Sequence, residues 1–190
     1  MSTDAMPLLL GSASPRRSRM LREMGVAFET VAPQVRELLR TNRPRWTARE
    51  NALRKNAWCR ARYPRHRVLT ADTVVVFRGR CIGKPESRKQ AAEFLRMFSG
   101  EAQSILTAVA YARPGEACRC EVVKSRVTFK VLTEAVVREY LTRVDPMDKS
   151  GAYDIAQRGD LIIESCDGSR SNVAGLPMET VREWLCPPMP

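Results

Sequence analysis

The chain has 190 residues, 44% of them hydrophobic, and carries 32 Lys and Arg against 21 Asp and Glu, a net charge of +11. That length and apolar content can bury a core in one domain over residues 1–190, and no apolar run approaches the roughly 20 residues of a membrane span, so a cytoplasmic globular protein is expected. The charge is lopsided: residues 1–70 hold 15 basic and 5 acidic side chains, which turns that part of the chain towards an anion or a charged surface. The six cysteines lack CxxC spacing, and Cys118-Arg119-Cys120 has no nearby His to complete a zinc site, so free or buried thiols are expected.

Leu8 to Gly11 reads as a short buried strand; Ser14 then suits a helix N-cap, Pro15 its first position, and Met20, Leu21 and Met24 an apolar face that Gly25 stops. A second strand is expected over Val26 to Val31 and a loop over Gln34 to Pro44. Thr47-Ala48-Arg49-Glu50 has the capping-box pattern, opening a helix that carries Ala52, Leu53, Ala57 and Trp58 towards Tyr63 and ends at Pro64. Val68 to Phe77 is β-rich and leads into a tight turn at Arg78-Gly79-Arg80, while Ser87-Arg88-Lys89-Gln90 opens another helix that Gly100 closes. Ile105 to Ala112 and Val122 to Leu132 flank Pro114-Gly115 as a hairpin. Thr133 starts a helix through Leu141, Leu161 to Glu164 reads as a strand, and Pro177 opens a last helix through Trp184. The alternation predicts an α/β fold around a mixed sheet.

Five stretches carry chemistry. Ser12-Ala13-Ser14-Pro15-Arg16-Arg17 joins a strand to a helix N-terminus, whose free N–H groups and positive dipole end, with hydroxyls and guanidinium forks beside them, suit phosphate. The same letters also suit a capped surface helix with solvated arginines. Thr70-Ala71-Asp72-Thr73-Val74 sets an acid inside an apolar strand, where a carboxylate needs a cation, a hydrogen-bond donor or a metal. A structural acid paired with an arginine at a sheet end fits that strand as well. Gly83-Lys84-Pro85 offers an ammonium on a fixed backbone, Asp148-Lys149-Ser150-Gly151-Ala152-Tyr153 combines acid, base and small residues, and Ser171 to Pro177 is a small-residue turn entering a helix.

In this order, SASPRR, ADTVV, GKP, DKSGAY and SNVAGLPMETV resemble the Maf family of nucleotide pyrophosphatases over nearly the whole chain. The resemblance implies a Maf/ITPase-like α/β fold with a mixed, elongated central sheet flanked by helices, two lobes and a cleft between them. It further implies a homodimer and hydrolysis of a nucleoside triphosphate to the monophosphate and pyrophosphate with a divalent cation, Mg or Mn. Carried over by motif position, Asp72 is the general base and a metal ligand, Glu37 a second carboxylate near the metal, and Lys84 a catalytic cation. Ser12, Ser14, Arg16, Arg17, Lys55, Thr73, Lys149 and Gln157 fall to substrate.

Thr73 after the acid, Arg16 and Gly151-Ala152-Tyr153 resemble the dTTP/UTP branch, whereas the 7-methyl-GTP branch carries Gln after the acid and a different loop. Two letters depart from the pattern. Ala156 holds the expected glutamine position, with Gln157 one residue later, and Arg36 precedes Glu37 where the family often has an acid. A nucleic-acid-binding module is the rival suggested by the basic first 70 residues, but no stacking motif or recognition helix accompanies the charge. A relative that has lost activity is a third reading, against which the retention of Asp72, Lys84 and Glu37 argues.

Overall fold

Residues 6–186 are described in the computed structural model, as alternating strands and helices. These are β1 (Leu8–Gly11), α1 (Pro15–Glu23), β2 (Phe28–Val31), α2 (Pro44–Arg62), β3 (Arg67–Phe77), β4 (Arg80–Ile82), α3 (Arg88–Phe98), β5 (Ala102–Ala112), β6 (Arg119–Phe129), α4 (Glu134–Arg143), α5 (Gly159–Ile162), β7 (Ile163–Asp167), α6 (Arg170–Val173) and α7 (Met178–Leu185). A 3-10 turn over Ser150–Ala152 follows α4. The strands form one mixed sheet in the order β2-β1-β3-β5-β6-β7, with β4 added alongside β3. β1 runs parallel to β2 and β3; the pairs from β3 to β7 are antiparallel. The α/β mixed-sheet expectation holds. Among the described residues no helix is long and apolar enough to cross a membrane, and all six cysteines are free thiols, as expected.

Strand β3 organises the rest. Its alternate side chains serve different partners, as the pleat requires. On one face Thr70 donates to the Ala52 carbonyl of α2 at 2.8 Å, and Val74 packs with Ala48 and Ala52. On the other face Leu69 and Ala71 join a core with Leu21, Leu176 and Met178, whereas Val75 and Phe77 join a second core with Leu95, Phe98 and Tyr140. β5 passes between the same two cores, Val109 and Tyr111 lying in the first and Ile105 in the second. Thr73 therefore falls at the seam between two apolar masses, with Asp72 on the opposite face of the strand.

The neighbours of β3 leave a gap at that seam. β1 ends with Gly11 opposite Thr70, and the last residue of β4, Ile82, lies opposite Val75, both on the side of β3 away from β5. Between them Ala71 to Val74 keep only β5 as a strand partner. The sheet edge is notched there, and the notch is the cleft.

Several elements start elsewhere than the sequence suggests, each for a local reason. α2 begins at Pro44, three residues before the expected capping box, because the fixed φ of proline suits the first helical position. The Thr47 hydroxyl, already inside the helix, donates to the Arg43 and Arg40 carbonyls at 2.9 and 3.3 Å and accepts from the Arg40 N–H at 3.3 Å. It fastens the preceding loop. Ser14 occupies the N-cap position of α1, but its side chain makes no capping bond. Ser87 and Thr133 do cap, accepting from the N–H groups of Gln90 and Val136. The turn at residues 78 and 79 carries one more strand than expected, β4: Arg78 and Gly79 take positive φ of 47° and 78°, which fits a two-residue hairpin between Phe77 and Arg80. β7 lies two residues later than predicted because α5 takes up Leu161 and Ile162.

Gly11 ends β1 where no side chain fits. A Cβ there would stand 2.6 Å from Cys59 Sγ and 2.7 Å from Thr70 Cγ2, inside contact distance on both sides. Gly11→Ala is expected to destabilise the protein by about 1–3 kcal/mol, the usual range for overpacking, and to lower Tm by several degrees. An unchanged melting curve would show that β1 can shift away from α2 freely.

Candidate active site

A cavity of about 330 Å³ opens at the notch, within the range of small-molecule sites. Its floor is the turn after β1. Ser12 Oγ accepts from the Ser14 N–H at 3.1 Å and from Arg17 Nη1 at 3.3 Å, which folds the turn against the start of α1. With no side-chain cap and no acid in its first turn, α1 leaves its first N–H groups and positive dipole end facing the cavity. Such a helix end is suited to an anion.

Asp72 and Thr73 point to opposite faces of β3, yet both line the cavity, because the notch exposes the strand from both sides. On the α2 face Lys55 and Asn51, one helical turn apart, close on Asp72. Lys55 Nζ lies 2.7 Å from Asp72 Oδ1 and 2.6 Å from Glu37 Oε1, while Asn51 Nδ2 donates to Asp72 Oδ2 at 3.1 Å. Asn51 also holds the loop that carries Glu37: its Oδ1 accepts from the Leu38 N–H at 2.8 Å and its Nδ2 donates to the Leu38 carbonyl at 2.9 Å. Burial pushes the Asp72 carboxyl above its ordinary pKa; Lys55 opposes that shift and Glu37 adds to it. Burial acts on Glu37 in the same direction, but Lys55, with Lys84 and Arg17 behind it, outweighs burial and holds that carboxyl below the ordinary range. Two neighbouring acids are thus driven apart, Asp72 being the better proton acceptor.

On the opposite face the polar groups are committed to one another. Arg17 Nε donates to the Gly175 carbonyl at 2.7 Å and Nη2 to Thr73 Oγ1 at 3.1 Å. Thr73 Oγ1 lies 2.9 Å from Thr107 Oγ1, its partner across β5, and the Thr107 hydroxyl reaches the Asn172 carbonyl at 2.9 Å. Around this network Val75, Ile105, Tyr153, Val173 and Ala174 give the recess a largely apolar wall. The carboxylates and Lys55 gather on the α2 face, and the α1 arginines border the apolar recess on the other.

The structure brings most of the expected site residues together. Ser12, Ser14, Arg16, Arg17, Glu37, Lys55, Asp72, Thr73 and Lys84 all line the cavity. Arg17 is committed to the protein on several donors, whereas Arg16 is held at one edge only, by Asp154 at 3.4 Å. Two of the expected residues, Lys149 and Gln157, lie outside this lining. Lys149 is buried outside the cavity wall, its ammonium folded back onto the Asp145 carbonyl at 2.7 Å and onto the Asp148 carboxylate. Gln157 is exposed and also outside the wall: Asp154 Oδ1 accepts from the Ala156 N–H at 2.9 Å, and the Gln157 N–H reaches the Asp154 carbonyl at 3.2 Å, a turn that carries residues 156–158 to the surface. Asn51, Thr107 and Asn172 were not legible as site residues, since nothing in their local sequence marks a contact made 20 or more residues away.

A sheet notched over a buried acid, with a helix N-terminus and cations beside it, is the frame of a protein that handles phosphorylated ligands. Residues 7–187 match the model of the Maf-like protein family, and the chain belongs to it. A Geobacillus protein (strain WCH70) named dTTP/UTP pyrophosphatase is 38% identical over 179 residues, covering 93% of this chain and 95% of its own. Relatives of the same name from Akkermansia muciniphila and Salmonella typhimurium (strain LT2) are 36% and 37% identical, covering 94% of this chain and 95% and 91% of theirs. A solved nucleoside-triphosphatase (dITP/XTP pyrophosphatase) from Mycobacterium abscessus aligns over 65% of this chain and 73% of its own, with TM-score 0.42 and 18% identity, too distant a likeness to carry weight.

Removing Asn51 tests how the Glu37 loop is held. Asn51→Ala strands the Leu38 N–H and carbonyl and takes a donor from Asp72, so a loss of about 1–3 kcal/mol is expected. Hydrogen exchange at the Leu38 amide should quicken with it. Unchanged exchange there would mean that Thr47 and β4 hold the loop without Asn51.

Proposed function

We propose that the protein is a nucleoside triphosphate pyrophosphatase that hydrolyses dTTP and UTP to the monophosphate and pyrophosphate. The observation that carries this reading is one cavity joining a buried carboxylate, Asp72, and a cationic cradle to a largely apolar recess. The names of the relatives support the pyrimidine substrates. Triphosphate lies along the cradle, where the α1 N-terminus, Arg16 and Lys84 give donors and positive charge, and the base lies against Val75, Ile105 and Val173. Water attacks the α-phosphorus, Asp72 takes its proton, and the bond to the bridging oxygen breaks to release pyrophosphate against Lys84 and Arg16. Lys55 turns from the carboxylates to phosphate as charge arrives.

Glu37 and Asp72 fit a divalent cation, Mg or Mn. Their hard oxygen donors already converge on one positive centre, the Lys55 ammonium. Among the described residues no group of three His, Cys, Asp or Glu could hold an ion, so these two carboxylates would be its protein ligands. When bound, the ion would supply charge to polarise the phosphoryl oxygens and acidify water. Free thiols fit a cytoplasmic location. The homodimer rests on family resemblance, and light scattering reads it directly.

Asp72→Asn keeps the side-chain shape and removes the proton acceptor, so turnover is expected to fall by about a hundredfold or more with the melting curve near that of wild type. Near-normal turnover would overturn the mechanism. Arg16→Ala and Lys84→Ala should each lower kcat/KM, and unchanged kinetics in both would return these side chains to solvent.

Across UTP, dTTP, CTP, GTP and 7-methyl-GTP, kcat/KM is expected to be highest for UTP and dTTP, with pyrophosphate and not single phosphate as product. A preference for 7-methyl-GTP would reassign the branch. Because Gln157 lies outside the cavity wall, Gln157→Ala should leave the UTP/CTP ratio unchanged.

A further inference from the structure

Asp154 stands where an ionised carboxylate needs a specific partner. Its side chain is fully buried. Oδ1 accepts from the Ala156 N–H at 2.9 Å, and the Asp154 N–H donates to the Tyr140 hydroxyl at 2.8 Å. Oδ2 is buried with no hydrogen-bond partner and lies 3.4 Å from Arg16 Nη1. A charge taken out of water is tolerated when an opposite charge faces it, and Arg16 is the ion-pair partner here.

Arg16 differs from its neighbour in a way that gives this pair a consequence. Arg17 spends its guanidinium on Gly175, Thr73 and Ser12. Arg16 lines the cavity, its side chain is 22% exposed, and Asp154 touches it from outside the cavity wall. One edge of the fork is held and the other N–H donors stay available. The pair also links the first turn of α1 to the loop after α4, which closes another side of the cleft with Asp148, Ser150 and Tyr153.

We infer that Asp154 is a positioning residue for Arg16, fixing the guanidinium at the cavity so that its remaining donors meet the phosphate chain. The inference rests on the pyrophosphatase reading for its substrate, UTP. Asp154 touches no ligand itself; it acts through Arg16, by limiting the arginine rotamers that would otherwise be lost on binding.

A double-mutant cycle decides between this role and a purely structural one. kcat and KM for UTP are measured for wild type, Arg16→Ala, Asp154→Asn and the double variant, with thermal melts of all four. Asp154→Asn keeps an oxygen for the Ala156 N–H. It is expected to lower kcat/KM about tenfold, chiefly through KM, and to add less than about twofold in the Arg16→Ala background. Equal losses in both backgrounds would overturn the inference, because Asp154 would then act on the fold alone. Guanidinium chloride at low millimolar concentration should restore part of the turnover of Arg16→Ala but not of the double variant; equal rescue of both would also overturn it. UTP affinity measured by calorimetry in EDTA reads the same cycle without turnover. A wild type that hydrolyses no triphosphate would sink the pyrophosphatase reading, while the coupling in UTP affinity would still decide the role of Asp154.

Discussion

An ionised carboxylate in the middle of a sheet must have a cation against it, and the contact between Asp72 and Lys55 sets the terms for the rest of the site. Lys55 reaches Asp72 only because α2 lies along that face of β3, and it lies there because Ala48 and Ala52 are small enough to pack on Val74. The same helix face presents Asn51 one turn earlier. Asn51 both completes the hydrogen bonding of Asp72 and holds the Leu38 backbone, so the loop bearing Glu37 is placed by the helix that places the lysine. Gly11 adds the last condition. β1 comes close to Cys59 of α2 at its end and then turns away, which opens the sheet where Asp72 needs access to a ligand.

The pleat of β3 divides the labour between the two faces. Consecutive residues point in opposite directions, so a strand buried on both sides would keep Asp72 and Thr73 in separate environments. The missing stretch of neighbour between β1 and β4 lets one cavity touch both. The α2 face brings Lys55, Glu37 and Asp72 together, while the other face sets the α1 arginines beside an apolar recess, so one cavity offers both charge and apolar surface. The two cores on either side of the seam hold the opening apart without a long unsupported loop.

Local sequence carried much of this and long-range contact carried the remainder. Asp72 stood out because an acid among Ala71, Val74 and Val75 has no apolar explanation, and Ser14-Pro15-Arg16 stood out because a proline at a helix start with arginines behind it leaves donors free. Those are properties of a few adjacent residues. Thr107 reads as one more β-branched strand residue until β5 pairs it opposite Thr73, and Asn51 as an ordinary helix residue until Leu38 folds over it. The Thr47 capping box misled for a related reason: the pattern was present, but Pro44 started the helix earlier and freed the hydroxyl to hold Arg40. Gln157 stands one residue past the expected position, in a turn that Asp154 fixes and that leaves residue 157 exposed, a placement that the local letters do not reveal.

The cavity wall carries the cations Arg16, Arg17, Lys55 and Lys84 against the carboxylates Glu37, Asp72 and Asp148, so at rest it is close to neutral despite the +11 of the whole chain. Arg17 and Lys55 are already engaged with protein groups. A triphosphate brings several negative charges into this near-neutral space, more than Arg16 and Lys84 can offset alone. A site built only to attract anions would not place three carboxylates on its wall. If the proposed divalent cation binds, Glu37 and Asp72 would hold it, and its charge would offset the carboxylates beside the phosphate chain. The basic excess of residues 1–70 sets up a positive field that would draw an anionic nucleotide in from a distance, while the cavity wall itself stays nearly balanced.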